Sequence, residues 1–194
     1  MPPEKILNEF RAAGALLEGH FLLSSGLHSR HYLQCARVLA DPKRAGRLAR
    51  ALAKKLRAST KGEIDCVVAP AMGGLIIGYE VARQLKVESM FLERVDGAFT
   101  LRRGFDLSHK PRVVMVEDIV TTGLSSREAI AAIRARGGRV VGAGCLIDRS
   151  AGRAKIGIKF ESLAQVEFET FEADNIPADM QKIPPIKPGS RGLK

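Results

Sequence analysis

The chain has 194 residues, of which 45% are apolar and 27% are charged, and this composition is typical of a globular protein of single-domain length. Its net charge of +10 favours an anionic partner, such as a phosphorylated metabolite, a nucleic acid or an acidic surface. Aromatic residues make up only 5% and no apolar run approaches the length of a membrane span, so we expect neither a nucleic-acid partner nor a membrane partner.

The first 60 residues are predicted to hold a helix, two strands and a second helix. Apolar residues at helical spacing predict the first helix over residues 4–17. Two short strands around a Ser-Gly turn are predicted over residues 19–33. Asp41 and Pro42 then form an N-cap and first-position pair, which predicts a helix with a basic, solvated face up to Arg57.

From residue 64 onward, apolar runs alternate with helical patterns, and this alternation predicts a parallel sheet with right-handed crossovers. The predicted strands and helices cover residues 64–69, 75–82, 89–92, 112–116, 126–136 and 140–147. Residues 93–110 show no element, and their cations and glycines predict a mobile lid over an anionic ligand. The alternative is a disordered surface loop. The proline-rich tail from residue 173 is predicted to be an extended arm.

Cysteine usage and the N-terminal residues indicate the compartment. Cys35, Cys66 and Cys145 are far apart, and none has the spacing of a zinc site, so they fit reduced core thiols. Residues 1–20 lack the apolar core of a signal peptide. We therefore expect a cytoplasmic location.

The most informative pattern lies where an apolar run meets two carboxylates. Residues 113–116 predict a strand buried on both faces, and Glu117 and Asp118 follow at its carboxyl end, where open α/β sheets bind ligands. The turn after them ends at Ser125, whose spacing to Glu128 is that of a capping box and predicts an anion site at a helix start. The pattern indicates a ribose-phosphate site. The alternative is an ordinary polar strand end.

Residues 113–125 resemble the phosphoribosyl-diphosphate (PRPP) motif of type I phosphoribosyltransferases. Residues 19–29, 93–105 and 147–149 are similar to the hood, flap and base-binding strand end of the orotate phosphoribosyltransferases in that family. The resemblance implies an α/β fold with a mostly parallel twisted sheet flanked by helices, a small N-terminal hood and a mobile catalytic flap. It implies one domain over residues 1–194, with the first helix, hood and basic helix in 1–60, the core sheet in 61–150, the flap in 94–108 and the C-terminal strands and arm in 151–194.

The same resemblance implies an activity and a set of site residues. It implies transfer of the phosphoribosyl group of PRPP to orotate, with Mg²⁺ as cofactor and a homodimer with shared active sites. The implied catalytic residues are Asp118, Glu117, Arg102 and Arg103. The implied PRPP contacts are Glu117, Asp118, Ile119, Val120, Thr121, Thr122, Gly123, Leu124, Ser125, Met72, Gly73 and Arg94. The implied orotate contacts are Thr121, Arg149, Tyr32, Leu33 and Ser24.

The chain departs from the common pattern of the family at its lysines. Positions where many members carry lysine hold Ser24, Met72 and Ala98, so the cations of the flap are arginines. Arginine neutralises pyrophosphate but does not readily release a proton. No side chains are predicted as dedicated metal ligands, because Mg²⁺ binds largely through substrate phosphates and water. The alternatives are a phosphoribosyltransferase for another base and a non-catalytic regulator that responds to PRPP.

Overall fold

The structure is a computed structural model that describes residues 1–23, 25–109 and 112–188. Over these residues the helices are α1 (Pro3–Ala12), α2 (Cys35–Leu39), α3 (Pro42–Ser59), α4 (Gly74–Leu85), α5 (Leu124–Ala135) and α6 (Ala178–Gln181). The strands are β1 (Leu16–Leu22), β2 (His28–Leu33), β3 (Cys66–Pro70), β4 (Glu88–Val95), β5 (Ala98–Leu101), β6 (Arg112–Val120), β7 (Arg139–Asp148), β8 (Phe160–Gln165) and β9 (Thr170–Phe171).

A six-stranded sheet in the order β5-β4-β3-β6-β7-β8 forms the centre of the molecule. Strands β3, β4, β6, β7 and β8 pair in parallel, and β5 pairs antiparallel to β4. The predicted parallel sheet with flanking helices is therefore confirmed. It includes β8, which lies beyond the predicted core boundary at residue 150.

Strand β6 is buried on both faces, as its apolar run predicts. Val114 and Val116 pack in the core on the side of α1, α3 and α4, whereas Val113 and Met115 pack with α5 on the other side. All four side chains are fully buried. This alternation is the one that a pleated strand between two helical layers requires.

The predicted start of α3 is confirmed in detail. Asp41 is the N-cap, and its Oδ1 accepts hydrogen bonds from the amides of Lys43 at 2.8 Å and Arg44 at 3.3 Å. The basic face is only partly solvated, because Arg44 and Arg47 both pair with Glu9 at 3.1 and 2.9 Å. These pairs attach α1 to α3.

A separate three-stranded sheet, β1-β2-β9, forms the hood. The C-terminal tail lies along it: the Leu22 amide donates to the Ile186 carbonyl at 2.9 Å, and the Ile186 amide donates to the His20 carbonyl at 2.8 Å. His20 Nδ1 also lies 2.7 Å from the carbonyl of Ile183, so the hood and the tail are hydrogen-bonded at several points.

The prediction of a first helix over residues 4–17 is wrong at its end. Helix α1 stops at Ala12, and Leu16 and Leu17 belong to β1. The cause is Gly14, which adopts a left-handed conformation (φ +58°) and ends the helix. The apolar spacing continued through this break and concealed it.

Residues 93–110 also differ from the prediction, because they contain regular structure. Strand β4 runs to Val95 and forms an antiparallel hairpin with β5. Asp96 and Gly97 form the turn with φ of +50° and +82°, which are the positive angles of a tight hairpin turn. The flap is thus a hairpin at its base, and residues 110 and 111 lie outside the described residues.

The end of β6 differs as well. The strand continues past the acidic pair to Val120, and α5 begins at Leu124 after the N-cap Gly123. The predicted capping box is wrong, because Gly123 provides no side-chain cap and Glu128 pairs with Arg94. None of the helices in the described ranges has both the length and the apolar character needed to cross a bilayer.

Candidate active site

An open cleft of about 420 Å³ lies at the carboxyl edge of the central sheet. It is lined by Pro70, Ala71, Met72, Gly73, Gly74, Glu93, Arg94, Phe99, Glu117, Asp118 and Ser125. Six of these are predicted site residues: Met72, Gly73, Arg94, Glu117, Asp118 and Ser125. They meet because β3, β4 and β6 are neighbouring parallel strands, whose carboxyl ends open onto the same edge.

Glu117 and Asp118 form the floor of this cleft. Glu117 is 7% exposed, and burial raises its pKa to about 7, against the opposing effect of a hydrogen bond from Ser126 Oγ to its Oε2. Burial also raises the pKa of Asp118, while hydrogen bonds from backbone amides and from the Cys35 thiol oppose that shift. The Ile119 amide donates to Asp118 Oδ1 at 2.9 Å. The pair is thus a set of acceptors in fixed orientations at the ligand edge.

The loop between β3 and α4 packs directly on this pair. A Cβ atom placed on Gly73 would lie 2.7 Å from Asp118 Oδ1, so only glycine lets the backbone come this close. The neighbouring Met72 follows a cis peptide bond from Ala71, and its side chain is 74% exposed at the cleft. The loop therefore offers backbone, rather than a charged side chain, to a ligand held by Asp118.

Thr121 to Gly123 connect β6 to α5, whose first two residues are Leu124 and Ser125. Gly123 adopts φ +74°, and a Cβ atom there would lie 2.7 Å from Ile156, so the turn requires glycine. Arg127 stabilises the turn, because its Nη1 donates to the carbonyls of Thr122 at 3.1 Å and Lys155 at 2.9 Å. The turn leads into the N-terminus of a twelve-residue helix, and the amides at a helix N-terminus favour anionic ligands. Of the strand residues predicted to bind PRPP, Ile119 is partly exposed and Val120 is buried.

Arg149 lies directly after β7, and its amide donates to the Val120 carbonyl at 2.7 Å. Its guanidinium is 5.2 Å from the ring centre of Phe168, and burial lowers its pKa. Its Nε is buried and has no hydrogen-bond partner among the described residues. A buried guanidinium nitrogen without an acceptor is costly, so the position suits a ligand that supplies one.

Tyr32 belongs to the same group of side chains. Burial above all, together with Cys35 and then Asp118, raises the pKa of its phenol. Leu33, in contrast, is 4% exposed and packs in the main core. Ser24 lies outside the described residues.

The arginines of the hairpin have different positions. Arg94 lines the cleft, with its guanidinium 4.0 Å from the ring centre of Phe99 and Nη2 2.6 Å from Glu128 Oε2. Arg103 is exposed and pairs with Glu93 at 2.8 Å. Arg102 is exposed too, and neither it nor Arg103 lines the cleft. The structure thus brings Arg94 to the acidic pair but not the two arginines predicted to be catalytic.

Sequence reasoning missed two residues that contact the acidic pair. Ser126 shares the buried face of α5 with Ile130 and Ile133, four and seven residues later, and that spacing was a usable signal. Cys35 was predicted only as a core thiol. Its place beside Asp118 depends on the path of the chain between β2 and α3, for which the sequence holds no local signal.

Comparisons with known proteins agree with this geometry. A family model described as a phosphoribosyl transferase domain matches residues 36–180. The orotate phosphoribosyltransferase of Erythrobacter litoralis is 59% identical over 191 residues, which cover 98% of this chain and 99% of that protein. The orotate phosphoribosyltransferase of Parvibaculum lavamentivorans is 57% identical over 193 residues and is matched over its full length.

Solved structures share the fold. Orotate phosphoribosyltransferase from Aeropyrum pernix is similar with a TM-score of 0.67 and 26% identity, over 82% of this chain and 93% of that chain. An adenine phosphoribosyltransferase from Thermoanaerobacter pseudethanolicus reaches a TM-score of 0.64 at 22% identity, over 82% of this chain and 99% of that chain, so the fold alone does not distinguish the base. The full-length sequence relatives do distinguish it. The chain therefore belongs to the phosphoribosyltransferase family and, within it, to the orotate phosphoribosyltransferases.

Proposed function

We propose that this chain transfers the phosphoribosyl group of PRPP to N1 of orotate, which gives orotidine 5'-monophosphate and pyrophosphate in de novo pyrimidine (UMP) biosynthesis. One observation carries the proposal: a carboxylate pair lines the cleft at the carboxyl edge of the sheet, and a buried arginine, whose Nε has no acceptor among the described residues, follows the neighbouring strand β7. The first group suits a ribose, and the second suits the carboxylate or carbonyl oxygens of the base.

The acidic pair would accept hydrogen bonds from the ribose 2- and 3-hydroxyls. The turn from Thr121 to Ser125 would hold the 5-phosphate, and the Gly73 backbone would face the pyrophosphate. In a loose transition state, the bond from the ribose carbon to pyrophosphate breaks ahead of the bond to N1, and positive charge develops on that carbon. Buried carboxylates beside the ribose stabilise this charge, and the positioned loops supply the orientation.

Arg149 would select the base. Strand β7, which ends just before Arg149, pairs with β6, which carries the acidic pair, through Val120 and Asp148. An orotate held by Arg149 and Tyr32 would therefore lie at the same sheet edge as the ribose. Guanidinium binds carboxylate and carbonyl oxygens through directed hydrogen bonds, which a base without the carboxylate would satisfy less well.

The proposal includes Mg²⁺. Two adjacent carboxylates at an open cleft fit a hard cation that usually binds through one or two carboxylates, substrate phosphates and water. Glu117 and Asp118 are the residues that would hold it, directly or through the ribose hydroxyls. When bound, it would neutralise charge on the departing pyrophosphate.

The proposal also includes a cytoplasmic homodimer. Arg102 and Arg103 do not line the cleft of their own chain, which favours a role in the site of a second copy. Exposed apolar side chains of Ile76 and Tyr79 on α4, close to the cleft residue Met72, provide surface for such a contact. The three cysteines are buried thiols outside any disulfide, which suits a reducing compartment.

The test is a direct assay of the purified protein with PRPP, Mg²⁺ and orotate, in which the loss of orotate is followed and uracil and adenine serve as controls. We expect consumption of orotate alone. Arg149→Met should raise the KM for orotate by about 30-fold to 100-fold and change the KM for PRPP little, because it removes a charged hydrogen-bond donor from the base site only. Consumption of adenine instead of orotate would favour a phosphoribosyltransferase for another base.

A further inference from the structure

We propose that Ser126 is a positioning residue for the ribose site, whose hydroxyl holds one oxygen of the Glu117 carboxylate and leaves the other oxygen to accept from the ribose. This inference rests on the proposed function and extends it to a residue of α5 outside the cleft lining.

The contact is a buried one between two elements. Ser126 is 1% exposed, and its Oγ donates to Glu117 Oε2. Ser126 is the third residue of α5, on the same face as Ile130 and Ile133, and this face packs against β6. Helical side chains point toward the N-terminus of their helix, so the hydroxyl is directed at the strand end that carries the acidic pair.

The helix itself does not need this hydroxyl. A serine in a helix often donates to the carbonyl four residues earlier, which here belongs to Thr122, but the hydrogen bond of Ser126 goes to Glu117 instead. The N-cap of α5 is Gly123, so Ser126 does not cap the helix. Alanine would satisfy the helix and its packing at least as well. The hydroxyl is therefore explained by the carboxylate it contacts.

The other oxygen of Glu117 remains available. Oε1 accepts no hydrogen bond from any residue in the described ranges, and Glu117 lines the cleft. A serine hydroxyl has a single proton, so donation to Oε2 fixes the carboxylate through one side only. The orientation of Oε1 toward a ligand thus depends on a residue that does not itself reach the ligand.

The test compares the steady-state kinetics of Ser126→Ala with those of the wild type. We expect kcat/KM for PRPP to fall about tenfold, since one hydrogen bond to a charged group is lost. The KM for orotate should stay unchanged, because the hydroxyl orients a carboxylate of the ribose site only. Ser126→Thr, which keeps the hydroxyl, should restore kcat/KM for PRPP.

A matched control is Thr60→Val. Thr60 is also buried, and its hydroxyl donates to the Leu56 carbonyl at 2.8 Å beyond the C-terminal end of α3. Its loss should leave kcat/KM for PRPP unchanged. A kcat/KM for PRPP in Ser126→Ala that equals the wild-type value, or a fall that Ser126→Thr does not restore, would overturn the positioning role.

A second readout does not require turnover. The affinity for PRPP can be measured by isothermal titration calorimetry in the absence of orotate. We expect Ser126→Ala to bind PRPP about tenfold more weakly than the wild type, and Ser126→Thr and Thr60→Val to bind it as the wild type does. If the wild type proves inactive toward orotate, the proposed function fails, but this measurement still decides whether Ser126 positions Glu117 for the ribose. Equal affinities of Ser126→Ala and the wild type would contradict the inference even in an active enzyme.

Discussion

The charged groups at the cleft fall into two sets that are held in opposite ways. Glu117 and Asp118 lie on the buried central strand, where loss of water raises their pKa and single hydrogen bonds fix their orientation. Arg102 and Arg103 are exposed and follow the last strand of the β4–β5 hairpin, and Arg103 pairs with Glu93 of β4. Arg94 lies between the two sets, with its guanidinium against Phe99 and paired with Glu128 on α5.

This difference indicates how the two sets contribute to the reaction. Burial orients the carboxylates before substrate arrives, and the protein pays for that orientation with stability. Exposed ion pairs contribute little to stability and exchange partners easily, so the hairpin cations can move toward a polyanion without disturbing the fold. Changes in the buried set should therefore alter chemistry and stability together, and changes in the exposed set should alter only the response to PRPP.

The largest effect is expected from Asp118→Asn. Turnover should fall by roughly 10² to 10³, because the negative charge beside the ribose disappears while the shape of the side chain is kept. The circular dichroism spectrum and the melting temperature should not decrease. The kcat of the purified variant measures the effect.

A matched control for that change is Asp65→Asn at the other end of the sheet. Asp65 accepts a hydrogen bond from the Arg112 amide at 3.0 Å, and asparagine can also accept it. This variant should keep wild-type kcat. An equal loss of kcat in both variants would mean that the effect does not depend on the position of the carboxylate. The buried pair would then have no special role in the reaction.

A second prediction concerns stability and pH at Glu117. Burial raises its pKa from 4.5 to about 7, so between pH 4.5 and about 7 the native protein binds this proton more tightly than the unfolded chain does. The free energy of unfolding therefore falls as the pH rises through this range. Glu117→Gln removes the buried charge and keeps an oxygen for the Ser126 hydroxyl. We expect its free energy of unfolding to exceed that of the wild type by about 2–3 kcal/mol at pH 8.

Denaturant titrations of both proteins at two pH values measure this difference. At pH 4.5 and below, Glu117 is protonated in the native wild type, so the advantage of glutamine should disappear there. A variant that is less stable than the wild type at pH 8 would show that the charged form of Glu117 is well solvated or paired, contrary to its burial. Activity with PRPP should be reduced at every pH.

The smallest effects on activity are expected from changes to Arg102 and Arg103. Arg102→Ala and Arg103→Ala should leave the melting temperature unchanged, because both side chains are exposed. If the removed guanidinium contacts the pyrophosphate, the KM for PRPP should rise by about tenfold in that variant. Added salt should also raise the KM for PRPP of the wild type, because it screens the same attraction. Steady-state kinetics at two salt concentrations measure this effect.

Subunit mixing tests whether these arginines serve a second copy. A variant that lacks both arginines and the Asp118→Asn variant should each have low activity alone. In a shared-site dimer, mixing them should restore roughly a quarter of wild-type activity, because half of the dimers would contain one intact site. No recovery after exchange of subunits would place the arginines in the site of their own chain.

Much of the fold was predictable from neighbouring residues. The alternation of apolar runs and helical patterns predicts the parallel sheet, and Asp41 with Pro42 predicts the start of α3. The Asp96–Gly97 pair was a hairpin signal that the length of the apparent gap obscured. The first helix was predicted to be too long, because the regular apolar spacing continues past the end of α1 at Gly14.

By itself, the sequence determined which strand end carries the acidic pair, which turn follows it and which family the residues resemble, because these features depend on residues close together in the chain. Only the tertiary structure decided which residues contact that pair. Ser126 contacts Glu117 and Gly73 contacts Asp118 through the packing of separate elements. Burial, which raises the pKa of Glu117 to about 7, is likewise a property of the whole fold and has no local signal in the sequence.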